Sequence, residues 1–72
     1  MERNELRAEW VRKGYSSMRS FSNALGMGYE TFKGKYYGRT RLTVDDVKKM
    51  AEVLNLSALD VTRIFFGDSV AK

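Results

Sequence analysis

The chain has 72 residues, enough for one domain near the lower size at which a self-sufficient core can be buried. Hydrophobic residues make up 43% and charged residues 31%, a balance that excludes an intrinsically disordered chain, and the formal net charge is +4. Histidine and cysteine are both absent, so the usual zinc ligands, the commonest general base and the thiol nucleophile are missing: no enzyme, metal site or cofactor is expected.

Five helices are predicted in chain order. The first runs from Asn4, as N-cap, to Lys13, with Leu6, Trp10 and Val11 as its buried stripe and Gly14 as its stop. A second begins after Ser16 or Ser17 and carries Met18, Phe21 and Leu25 on one face before Gly26. Next, a helix from Tyr29 to Tyr37 turns Phe32 and Tyr36 inward and ends at Gly38. In the fourth, Thr43 caps, Asp46 sits three residues on, and Leu42 and Val47 form a hydrophobic staple. Its inward face is Val47, Met50, Ala51 and Leu54. Ser57, Asp60, Leu56 and Val61 repeat the same device at the start of the fifth, where Val61, Ile64 and Phe65 point inward. Gly67 to Lys72 is expected to fray.

Phe21 to Phe32 reads as a short apolar helix, a glycine-centred turn and a second helix that restarts at once, the pattern of a helix-turn-helix. Charge gathers there too. Residues 18–41 hold five cations (Arg19, Lys33, Lys35, Arg39, Arg41) against Glu30, a net of +4, whereas residues 1–17 are +1 and residues 42–72 are −1. Charge concentrated on one element points to a polyanion. Other motifs carry little. Gly26-Met27-Gly28 is half of a dinucleotide fingerprint without a preceding strand, and the adjacent carboxylates Asp45 and Asp46 point about 100° apart on a helix. Uninterrupted apolar runs are only a few residues long and the first five residues are too charged for a signal peptide, so no membrane segment and a cytoplasmic location are expected.

The set Phe21-Ser22-x-x-Leu25-Gly26-Met27, Thr31-Phe32, Tyr36-Tyr37-Gly38-Arg39 and Val47-x-x-Met50-Ala51-x-x-Leu54-x-Leu56-Ser57 resembles the lambda-repressor-like DNA-binding domains, the Cro/repressor or Xre group of small phage-type regulators. The resemblance spans about Leu6 to Phe66. It implies an all-α, five-helix fold with helices two and three as the helix-turn-helix, in a single domain over residues 1–72. It also implies a Cro-like repressor that occupies a double-stranded DNA operator in the cytoplasm of a bacterial or phage-infected cell; a homodimer is expected because a reader of this size touches few bases, and no small-molecule ligand is evident. Ser22 fills the family's small-residue slot between those helices. Met18, Gly28, Gly34 and Tyr37 depart from it, each standing where a different, mostly polar, residue is common.

With Phe32 and Tyr36 inward, the outward face of the third helix centres on Glu30 and Gly34, with Tyr29, Lys33 and Tyr37 on one shoulder and Thr31 on the other. Tyr29, Glu30, Lys33 and Gly34 are the expected base contacts. Glu30 suits a cytosine amino group, or else only complements the helix dipole; Lys33 suits guanine. Tyr29 suits a thymine methyl or a phosphate. At Gly34, the absent side chain allows closer approach to the groove floor. Ser17, Arg19, Gly28, Thr31, Tyr37, Arg39 and Arg41 are the expected phosphate contacts, with Lys35 a solvated surface charge. Leu59 and Phe66, on a second face of helix five, are either wrapped by Trp10 and the N-terminal helix or form an intermolecular contact, and a dimer interface is the favoured expectation. The rival reading is a protein-interaction module on the same fold, of antirepressor or antitoxin type, with little DNA reading.

Overall fold

The computed structural model describes residues 1–66; the expectation for Gly67 to Lys72 lies outside them. The five helices are α1 (Arg3–Arg12), α2 (Met18–Ala24), α3 (Tyr29–Tyr36), α4 (Val44–Leu54) and α5 (Ala58–Phe65), and the described residues contain no strand. No helix among them is long and apolar enough to cross a membrane.

Local chemistry explains most of the boundaries. Ser17, Thr43 and Ser57 each accept a hydrogen bond from the backbone N–H three residues on, and the side chains of Ser20, Asp46 and Asp60 accept one in return from the cap residue's own N–H. Three capping boxes therefore start three helices. Between α2 and α3 the chain reverses at Gly26, whose φ of 72° disfavours any residue with a Cβ, while the Met27 N–H reaches back to the Ser22 carbonyl at 3.0 Å. Asn55 takes the left-handed conformation that closes α4, φ 54°.

α1 departs from expectation at both its start and its buried face. Its N-cap is Glu2, not Asn4, and no side chain caps it; the first turn is held instead by tertiary contact, the Glu2 N–H donating to the Ile64 carbonyl at 2.7 Å. Val11 is 55% exposed and Glu9 takes its place beside Leu6 and Trp10, only 5% exposed. A buried carboxylate requires a cation. Arg12 supplies one at 2.6 Å and Arg63 of α5 another at 3.4 Å, the latter also bound to Asp60 and Glu5.

The core is aromatic at its centre. Trp10 stacks on Phe21 at 5.0 Å, Phe21 meets Phe32 edge-on at 5.5 Å, and Tyr36 lies 5.4 Å from Trp10. Leu6, Leu25, Val47, Met50, Leu54, Ile64 and Phe65 complete it. Every helix thus contributes to one cluster, and α2 packs closely on α3. Truncating Phe21 or Phe32, both essentially inaccessible, costs about 3–5 kcal/mol.

Candidate nucleic-acid interface

α3 is fixed from beneath by Phe32 and Tyr36, 1% and 7% exposed. The phenol of Tyr36 donates to the Arg3 carbonyl at 3.2 Å. Burial pushes that phenol above its ordinary value of 10.0 and neighbouring Tyr37 adds to the rise, while Arg7 and Arg3 pull the other way. The seated inner face leaves Glu30, Thr31 and Tyr37 exposed and Tyr29 and Lys33 half-buried. Gly28, the N-cap, is also exposed, with no side chain to obstruct the first N–H groups of α3.

Gly34 is a correction. It is buried, because the chain turns sharply at Gly38 (φ 85°) and folds back over it. The Gly34 carbonyl accepts from the Arg39 and Thr40 N–H groups at 2.8 and 3.2 Å, and a Cβ at position 34 would stand 3.3 Å from the Thr40 hydroxyl oxygen. Its missing side chain serves this intramolecular contact, and a base cannot reach it. The outward surface of α3 is therefore confined to its first turn and the Lys33 shoulder, with Tyr37 at its end.

Lys35 is a second correction. Its side chain is 16% exposed, pairs with Asp46 at 2.8 Å and donates to the Arg41 carbonyl at 3.1 Å. Burial raises the Asp46 carboxyl, but the Lys35 ammonium and the Thr43 N–H and hydroxyl outweigh it and hold the group below its ordinary value of 3.8. Lys35 so fastens the connection between α3 and α4, from which Arg39 and Arg41 project into solvent.

No protein-family model, curated protein or solved structure matches the chain. The site is therefore read from its own geometry. Arg19, in the first turn of α2, places its guanidinium 4.2 Å from the centre of the Tyr29 ring, and the Lys33 ammonium lies 5.7 Å from the same centre. Ser17, exposed at the start of α2, is occupied by its capping box, although its hydroxyl hydrogen stays free to donate outward. Arg19, Lys33, Arg39 and Arg41 form no ion pair among the described residues. The acids Glu5, Glu9 and Asp60 are gathered around Arg63, on the α1–α5 side.

Two cations were missed in the sequence. Arg3 lies over the Tyr37 ring at 5.7 Å, and Arg7 lines a cleft with Ser16, Ser17, Met18 and Tyr37. Both sit in a segment whose net charge is small, because α1 sorts its charges by face: Glu5 and Glu9 turn to Arg63 while Arg3 and Arg7 turn to α3. The i, i+4 spacing of Arg3 and Arg7 was the available signal.

On α5, Leu59 is 82% exposed and Phe66, its C-cap, 46% exposed. These two apolar side chains lie away from the core as the helical spacing predicted.

Proposed function

We propose that the protein is a sequence-specific double-stranded DNA-binding regulator of the lambda-repressor-like type, a Cro-like repressor that acts by occupying an operator. In this reading α2 and α3 form a helix-turn-helix and α3 enters the major groove. Tyr29, Glu30 and Lys33 then face base edges, while Ser17, Arg19, Gly28, Thr31, Tyr37, Arg39 and Arg41 meet the sugar-phosphate backbone. A homodimer through Leu59 and Phe66 would double the number of bases read.

The observation that carries the reading is the ion-pair pattern. Four cations, Arg19 and Lys33 beside the Tyr29 ring and Arg39 and Arg41 in the connection that leaves α3, have no acidic partner among the described residues, while Glu5, Glu9, Asp46 and Asp60 are consumed in ion pairs. Unneutralised cations along one surface suit a phosphate backbone, which releases its counterions when they bind. The second reading, a protein-interaction module, draws on Met18, Gly28 and the buried Gly34, which stand where polar contact residues are common in the family resembled.

Titration of a duplex at two salt concentrations separates them. DNA binding weakens steeply as salt rises; an apolar protein contact hardly responds. Within the DNA reading, Arg39→Ala or Arg41→Ala lowers affinity for all duplexes alike and reduces the salt slope by about 0.9 each. Lys33→Ala instead alters sequence preference in a selection from random duplexes. Salt-independent behaviour, or unchanged slopes in both arginine variants, refutes the proposal.

A further inference from the structure

The ring of Tyr29 bridges the starts of two helices. Tyr29 is the first residue of α3, and Arg19, the second of α2, reaches across the turn to lie 4.2 Å from its centroid. That distance is within the range of a cation–π contact, and Lys33 at 5.7 Å falls inside it as well. Among the described residues the Arg19 guanidinium makes no hydrogen bond and no ion pair, so the ring is what orders an otherwise free, rotamer-rich side chain. The Arg19 backbone is steadied by the Ser22 hydroxyl, which donates to its carbonyl at 2.8 Å. The Tyr29 hydroxyl has no hydrogen bond among the described residues, unlike that of Tyr36. The arrangement uses the ring.

We propose that Tyr29 is a positioning residue: its ring is a shelf that holds the Arg19 guanidinium in the orientation that meets a nucleic-acid phosphate, with the Lys33 ammonium at the same ring on the side that faces the bases. The inference rests on the DNA reading above and deepens it, moving Tyr29 from the base contacts to the support of its neighbours. A cation–π contact engages the guanidinium through its charge, and its N–H groups have no acceptor among the described residues, so those donors stay available to a phosphate. Ordering the side chain before binding removes that cost from the complex.

The test is a double-mutant cycle read with a fluorescent mixed-sequence duplex at low salt, because a phosphate contact is indifferent to sequence. Tyr29→Phe keeps the ring and binds within about two-fold of the native chain. Tyr29→Leu removes it and weakens binding about three- to five-fold. In an Arg19→Gln background the same Leu substitution costs less than about two-fold, because there is no guanidinium left to position. Tyr29→Gln, a second ring-less variant, gives the same pattern should the Leu variant be unstable.

A measurement on the free protein accompanies these. The Arg19 side-chain protons are shifted upfield by the ring current in the native chain and in Tyr29→Phe, and return to ordinary positions in Tyr29→Leu. Equal losses in Phe and Leu variants would assign the work to the hydroxyl and overturn the proposal. Additive losses in the cycle, no loss in Tyr29→Leu, or Arg19 shifts that ignore the ring overturn it equally. If the native chain binds no duplex while the Arg19 shifts behave as described, the stack stands and it is the DNA reading, with the positioning role that depends on it, that fails.

Discussion

Replacing Lys35 by methionine tests the tie between α3 and the chain that follows it. The substitution keeps the length of the side chain and removes its charge, so that Asp46, 14% exposed, loses the cation at 2.8 Å while the Arg41 carbonyl loses a donor at 3.1 Å. A charge-assisted hydrogen bond of this kind contributes about 1.5–3 kcal/mol and the neutral-acceptor bond about 1 kcal/mol. Methionine's own apolar contact offsets part of the loss, leaving about 2 kcal/mol of net destabilisation. For a domain of this size that lowers Tm by about 10 °C. The pH dependence isolates the pair. The Asp46 carboxyl is held below its ordinary 3.8 in the folded chain, so its share of the stability is fully present above that value and is lost as pH falls through the folded one. Urea denaturation of both proteins at pH 7 and in acid low enough to protonate Asp46 should therefore show the difference shrinking to less than about 1 kcal/mol, what the Arg41 hydrogen bond contributes beyond methionine's own contact. A difference that is unchanged between the two pH values would show that the ion pair contributes nothing, and one near zero at pH 7 would remove the tie altogether.

Other substitutions probe the remaining structural claims. Thr43→Ala and Ser57→Ala each delete an N-cap acceptor and should cost about 1 kcal/mol in thermal or urea unfolding, additively, because the two caps share no partner. Gly34→Ala gains about 1 kcal/mol of helix propensity but must displace the Thr40 hydroxyl at 3.3 Å; Thr40→Ala should be more favourable in the Gly34→Ala background than in the native chain, and equal effects would mean that the contact is immaterial. Phe66→Glu should leave the melting temperature nearly unchanged, given its exposure, and yield a monomer with weaker duplex binding. Sedimentation of the native chain as a monomer at high concentration would end the dimer proposal.

What was legible in the sequence was local. Thr43 with Asp46 and Ser57 with Asp60 form their hydrogen bonds within one turn, so four consecutive residues contain the whole mechanism. Phe32 with Tyr36, and Met50 with Leu54, follow helical spacing for the same reason. The errors share a different cause. Glu9 occupies an interior position that a charge would ordinarily forbid, and the arginine of α5 that helps make it tolerable lies 54 residues away. Lys35 looks like a surface charge until α4 brings Asp46 against it. Gly34 falls on the outward face by helical arithmetic, yet the turn at Gly38 doubles the chain back across it, a path that periodicity inside a helix does not encode. Within the candidate site, Arg19, Tyr29 and Lys33 were each identifiable, but their sharing of one ring depends on the angle between α2 and α3.

The bond from the Glu2 N–H to the Ile64 carbonyl has a consequence for how the molecule breathes. With Arg63 gripping Glu5 and Glu9 from the same side, the opening turn of α1 and the closing turn of α5 are stitched into one unit, so neither can peel off alone. Amide exchange at Glu2 and Leu6 should slow or quicken in step with that at Ile64 and Phe65. A bulky tag fused ahead of Met1 would therefore be felt first by the last helix.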